Sequence, residues 1–315
     1  MRLAATLAAA LSVLVSGAAA EPARTKRIAL TYDDAPMGDG PLLSGDDRAT
    51  QLIDGLKAAG VDQAAFFIAT RGFETREGGR ARVARYAEAG HVLANHTHTH
   101  PWAHKTDVAA YIAEIDRADG LLDGFPNRRA WFRFPYLDEG RERGKRDALR
   151  TALAERGLKN AYVTVDNYDW HMVSLARSAM KDGRCIDRDA AGAVYVDMLV
   201  DAAEHFDALA RDVLGRSPAH VLLLHENDFA ALYVTRLVDG LKAAGWTIVT
   251  ADEAFSDPMA DRPPDTVFSG MGRVAAYGQD AGLPFERFAH AASDEAAIAA
   301  RFDAAGVVVD CPADG

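Results

Sequence analysis

The chain has 315 residues, 49% of them hydrophobic and 26% charged, enough for one large domain or two small ones with a full core. Its 46 acidic side chains outnumber 35 basic ones, for a formal net charge of −11. Such a surface argues against nucleic acid and anionic lipid as partners.

The N-terminus reads as a leader. "MRLAATLAAALSVLVSGAAAEPA" carries one arginine, an uncharged apolar run from Leu3, and small residues at Ala18 and Ala20. This is the pattern of a secretory signal peptide, cut after Ala20. The run is short for a bilayer span, and no later segment would serve as a transmembrane helix. Cleavage would leave 34 basic and 46 acidic side chains. The expectation is export, to the bacterial periplasm or the medium. An exported chain can pair its two cysteines, Cys185 and Cys311; two free thiols are the other reading, because separation in sequence says nothing of distance in the fold.

Apolar β-rich runs then alternate with amphipathic stretches. The runs are "RIALTY" at 27–32, "AAFFIAT" at 64–70, "HVLANHT" at 91–97, "AWFRFP" at 130–135, "NAYVTVD" at 160–166, "AHVLLLH" at 219–225 and "WTIVTA" at 246–251. Helical patterns between them stop on Gly60, Gly90 and Gly245, good helix terminators. Continuously apolar strands alternating with helices predict a parallel sheet buried on both faces. Seven such units suit an α/β fold with a closed or nearly closed barrel. An open doubly wound sheet is the second choice, weakened by the lack of a glycine-rich phosphate loop after the first run. After Phe255 the alternation stops: "SDPMADRPPDTVF" reads as a linker, and 275–303 as helical. The predicted organisation is a leader at 1–20, a catalytic domain at 21–255, and an extension at 256–315 packed on the barrel.

Polar clusters sit at the ends of the predicted strands. "TYDDAP" puts Asp33 and Asp34 after the first; taken alone it could be an ordinary turn. "NHTHTHP" ends the third, "RFPY" the fourth, "DNYDW" the fifth and "LLLHEND" the sixth. In a parallel barrel these ends share one rim, where such folds keep their chemistry. That convergence is not explained by a turn. The histidines suggest a metal. If the strand continues, His96, His98 and His100 share a face; if the chain turns helical after Asn95, His96 and His100 stand one turn apart and converge. Pro101 favours the second. Two imidazoles and one carboxylate are a usual set for catalytic zinc, with a position left for water.

With these residues the chain resembles the polysaccharide deacetylases, the NodB-like enzymes of carbohydrate esterase family 4. "TYDDAP" is similar to their first motif, "HTHTH" to the second, "RFPY" to the third, "DNYDW" to the fourth and "LLLH" to the fifth, all in family order. The family usually has Phe and Gly where this chain has Tyr32 and Ala35. A long segment, 171–218, separates the last two motifs, and the tail after 255 lies outside the family core. The resemblance implies a distorted seven-stranded barrel. It implies Asp34, His96 and His100 as ligands of a divalent metal, Zn2+ above others, and Asp33 as general base. It also implies Arg133 orienting Asp33, the backbone N–H of Tyr136 as oxyanion donor, and His225 as general acid supported by Asp169. Trp170 and Tyr136 would meet substrate, an N-acetylated or O-acetylated glycan such as a chitooligosaccharide or peptidoglycan.

Each residue has a plainer reading. Arg133 could be an ordinary ion-pair partner and Trp170 a core residue. Asp166 is expected to cap the following helix. His98 is expected to point away from the ligand pair, and Trp102 is a candidate cleft residue. Two other functions stand beside the deacetylase: a hydrolase of a small non-glycan amide from the same superfamily, and a catalytically silent glycan-binding protein. The leader counts against the first, and the presence of both Asp33 and His225 against the second.

Overall fold

The computed structural model of the protein describes residues 26–312; the expected leader and its cleavage site lie outside them. Nine strands occur among these residues: β1 Lys26–Ala35, β2 Ala65–Ile68, β3 Val92–Asn95, β4 Arg128–Phe132, β5 Lys159–Asn160, β6 Cys185–Ile186, β7 Ala219–His225, β8 Trp246–Ile248 and β9 Val308–Val309. Seven form one parallel sheet in the order β5-β4-β3-β2-β1-β7, with β8 also paired to β1. Strand β1 is the spine. It runs beside β7 from Arg27 to Asp33, gives its C-terminal half to β2, and pairs its first three residues with β8. Ile28, Ala29, Leu30 and Tyr32 are fully buried, as a strand covered on both faces requires.

The expected fifth strand is short, and the reason is local. β5 pairs with β4 for two residues only. The chain then crosses toward β7, where the N–H groups of Thr164 and Val165 both donate to the Val221 carbonyl, and Val165 accepts from Leu223. One segment thus serves β4 at its start and β7 at its end, which curls the sheet into a distorted, nearly closed (β/α) barrel. The third and last strands are also shorter than the apolar runs suggested, ending at Asn95 and Ile248. Helices flank the sheet, among them Gly45–Ala58, Val108–Leu122, Arg188–Leu214 and Asp228–Ala243. No described helix is long and apolar enough to cross a membrane.

The stretch after Phe255 is no loose linker. Asp257 is buried and accepts from both terminal nitrogens of Arg216 and from the Ala219 N–H, which fixes the chain at the entrance to β7. Nor is 275–303 one helix. Helices Gly272–Asp280 and Glu295–Ala304 are separated by 3-10 turns at Phe285–Arg287 and Ala291–Ser293, because Gly282 and Pro284 interrupt the pattern. The tail returns to the middle of the chain: β9 pairs antiparallel with β6, and Cys185 and Cys311 form a disulfide across that pair.

Candidate active site

The strand ends do meet. In the β1–β7 ladder Asp33 lies directly opposite His225, so two of the candidate groups are placed by sheet register alone. Arg133, just past β4, reaches under them. Its Nη1 donates to Asp33 Oδ1 at 2.6 Å and to Thr31 Oγ1 at 2.8 Å, and its Nε donates to the Ala161 carbonyl at 2.9 Å. Asp33 and Arg133 are 4% and 1% exposed. Burial pulls the guanidinium pKa down, and Asp33 works against that pull. Asp33 is held by one oxygen, and its other oxygen lies 3.6 Å from His96 Nε2. Thr31 was not among the expected residues, although its place two positions before Asp33 on the same strand face was a signal.

Asp34, His96 and His100 form a second group, their ligand-type atoms all within 4.8 Å of one another. His100 Nε2 lies 3.0 Å and His96 Nε2 3.5 Å from Asp34 Oδ1. Neither expected geometry of the histidines holds: the chain is irregular after Asn95, and left-handed backbone at Thr97 and His100 brings the rings together. His96 Nδ1 donates to the Arg133 carbonyl at 2.8 Å, which leaves Nε2 with its lone pair toward Asp34. Burial lowers the His96 pKa to about 4 against the pull of Asp33, so the ring is neutral at pH 7. Burial would raise the Asp34 pKa, but His100, with His225 and His96, holds it below the usual carboxylate range. Asp34 Oδ1 is buried without a hydrogen-bond partner despite the adjacent nitrogens. A carboxylate oxygen and two imidazole nitrogens this close together are a donor set and spacing that a divalent cation fits. His98 turns away, its Nδ1 on Thr70 Oγ1 at 3.0 Å.

The acid arm is braced more heavily than the sequence suggested. Asp169 Oδ1 meets His225 Nδ1 at 2.6 Å, and its Oδ2 accepts from the His225 N–H and from Asn227 Nδ2. Burial alone would lower the His225 pKa; attraction to Asp169 and their hydrogen bond, with Asp34 and Asp33 behind, push it up to about 9. His225 thus carries a proton at neutral pH, and with Nδ1 on Asp169 its other nitrogen is the free donor. Asn167 completes the brace, donating to the Leu223 carbonyl and accepting from the Asp169 N–H. That removes the expected role of Asp166 as a helix cap. Asp166 instead accepts from Ser293 Oγ at 2.9 Å, and burial raises its pKa to about 7. Asn167 and Asn227 were missed because each acts only through the folded loop.

The rim is aromatic on two sides. Tyr136 is 42% exposed, has left-handed backbone, and stacks on Trp102 with ring centres 3.7 Å apart. Trp170 is 36% exposed, so the core reading fails for it. Ala35, the departure beside the aspartates, is fully buried in register with Ile68, so its methyl is part of the sheet.

Fold and site together define a distorted parallel (β/α) barrel protein with a one-carboxylate, two-histidine cluster in its mouth. Residues 20–161, which carry the first three strand-end motifs, match the family model described as polysaccharide deacetylase. A peptidoglycan-N-acetylglucosamine deacetylase of Bacillus cereus is 26% identical over 240 residues, covering 74% of this chain and 70% of the relative. Among solved structures, a mutant of the CE4 family pseudoenzyme BA3943 is similar with a TM-score of 0.50 at 18% identity, over 74% of this chain and 68% of that one. The peptidoglycan deacetylase PdaC of Bacillus subtilis gives 0.48 at 20% identity, over 73% and 90%. At such identity the BA3943 likeness speaks to the fold alone.

Proposed function

We propose that the protein is an exported, metal-dependent deacetylase that hydrolyses the acetamide of N-acetylated glycans, with peptidoglycan-type polymers the first candidates. The observation that carries the reading is the opposition of Asp33 and His225 across two paired strands, one braced by Arg133 and the other by Asp169. Asp34, His96 and His100 would hold a divalent cation, for which zinc is our assignment. When bound, such an ion supplies Lewis acidity, polarising the carbonyl and acidifying water.

The chain's own groups supply the proton traffic. Asp33, kept in place by Arg133, takes a proton from the attacking water as its oxygen bonds to the acetyl carbon. The backbone N–H of Tyr136 is assigned to the developing oxyanion, a contribution of about 3 kcal/mol for one such donor. His225 gives its proton to the sugar nitrogen as the C–N bond breaks, releasing acetate and a free amino sugar. Trp170 on one side and the Tyr136–Trp102 stack on the other are suited to sugar faces. The family match and the Bacillus cereus relative support the reaction class.

In this reading residues 1–20 are removed on export, 21–255 form the catalytic domain, and 256–315 stabilise it. The test is acetate release from a panel of acetylated glycans and small amides, with and without chelator. Chelator-sensitive release from the glycans is expected; release from small amides alone would replace the proposal. Binding of the glycans without release would make the protein a silent glycan binder.

A further inference from the structure

A groove leads away from the candidate metal ligands. Asp34, Pro36, Arg71, Gly72, Arg76 and His100 are among the residues that line it. Its shape is held by close backbone packing: a methyl placed on Gly72 would come within 2.8 Å of Pro36 Cδ, and one on Gly38 within 3.2 Å of Arg76 Nη1. Arg71 is anchored by its own N–H to the His98 carbonyl at 2.9 Å. Both arginine side chains are exposed on the groove.

Among the described residues neither guanidinium has an ion-pair or hydrogen-bond partner, while Arg48, Arg82 and Arg133 near the same loops are all engaged. Two of the nearby acidic side chains are already engaged. Glu74 pairs with Arg117 at 2.8 Å, and Glu114 accepts from the N–H and the hydroxyl of Thr99. In a chain with a net charge of −11, two exposed arginines without a protein partner, in a groove that Asp34 and His100 also line, offer a site to an acidic ligand.

We propose that Arg71 and Arg76 form a subsite for an acidic group carried by the sugar next to the one that loses its acetyl group. A guanidinium fork matches a carboxylate, so the ligand class is a glycan in which acetylated and carboxylate-bearing sugars adjoin. This deepens the deacetylase reading and rests on it. The carboxylate could be the lactyl group of a muramic acid or that of a uronic acid, and the two are separated by experiment.

The probes are three oligosaccharides of equal length: a neutral chitotetraose, an alternating N-acetylglucosamine–N-acetylmuramic acid tetramer without peptide, and an alternating N-acetylglucosamine–glucuronic acid tetramer. In the wild-type protein, kcat/KM should favour one of the acidic tetramers over the neutral one, and the preference should fall with salt. Replacing both arginines (Arg71→Ala with Arg76→Ala) should cut that acidic-over-neutral ratio about 3- to 20-fold, the size of two partly exposed charge pairs, through KM rather than kcat. Arg71→Lys with Arg76→Lys should restore part of it. Which acidic tetramer shows the effect names the carboxylate. A ratio unchanged in the double alanine variant, with thermal melting intact, overturns the subsite. If no tetramer releases acetate, the deacetylase reading fails by itself. Calorimetric binding of the same three tetramers to Asp33→Asn, with and without the arginine pair, then decides the subsite: an acidic preference that the pair abolishes supports it, and equal binding refutes it.

Discussion

Asp33 and Asp34 are neighbours in the chain, yet they meet different partners. Asp33 is clamped by a buried guanidinium, while Asp34 is turned by a left-handed backbone, φ 67°, toward two imidazoles. A loss of charge at either would look alike in the sequence; it should not in the protein. Asp33→Asn is expected to retain metal and lose about 10²- to 10⁴-fold in kcat, the usual worth of a positioned base. Asp34→Asn should bind metal more weakly and recover part of its activity when metal is added in excess. Metal content and acetate release across a metal titration separate them, and rescue of Asp33→Asn by metal would exchange the roles. The acid arm makes a pH prediction. Because Asp169 helps to lift the His225 pKa to about 9, the donor is lost only as pH rises through that value. Asp169→Asn should move the alkaline limb of kcat/KM toward neutrality, and an unmoved limb would show that another group is the acid. The residues that bear charge were legible because polar clusters at the ends of apolar runs have few other uses. Left-handed backbone at Asp34, His100 and Tyr136 was not legible: none is glycine, and tertiary contacts impose the conformation.

At the scale of elements, the loop after β1 is held by a buried network. Arg48 donates to Glu226 and Asp228 and to the carbonyls of Met37 and Gly38. Tyr86 donates to Glu226, and the Met37 and Leu42 N–H groups end on the same two carboxylates. Glu226 directly follows His225, so this network ties the loop that follows Asp34 to the strand that carries His225. Removing one member strands the others: Arg48→Met should cost about 3–5 kcal/mol, read as a lower urea midpoint with an unchanged slope. The same packing makes Gly40 obligatory, since a Cβ there would lie 2.0 Å from Asp228 Oδ1. None of this was visible beforehand, because its pairs are up to 189 residues apart in sequence. The existence of the strands and their parallel type were visible, since an apolar run reports burial on two faces. Strand ends were not, because the curl at Lys159–Asn160 depends on partners that the run itself does not name.

For the whole molecule, the tail matters more than its position outside the barrel suggests. Tyr168 donates its N–H to the Ala292 carbonyl, Ser293 donates to Asp166, and Asp187 donates its N–H to the Val307 carbonyl. The disulfide closes a span of 126 residues, for which chain entropy gives about 5 kcal/mol. Replacing both cysteines by serine should lower stability by up to that amount in non-reducing urea melts; no change would mean that the tail is held by its other contacts. Asp166 adds a pH signature. Its folded pKa, about 7, stands above the unfolded value near 4. The protonated form is therefore favoured by folding, so its stabilising contribution is full below about pH 4 and is lost as pH rises through 7. Against Asp166→Asn, the wild-type protein should gain stability on acidification from pH 7 to 4; parallel profiles would mean that Asp166 titrates normally. That the cysteines pair could not be read from their spacing, since only the β6–β9 ladder brings them together.

The tail also sets an order of events. A chain made from its N-terminus yields Asp33, the histidines and Arg133 early, but the residues that steady the loop carrying Asp169 come last. Ala292, Ser293 and Cys311 all lie in the final tenth of the sequence. A nascent or truncated chain could thus hold a finished metal cluster while its acid arm is still unsupported. Competence for turnover would then arrive only once Ala292 and Ser293 have joined the fold and the Cys185–Cys311 disulfide has closed.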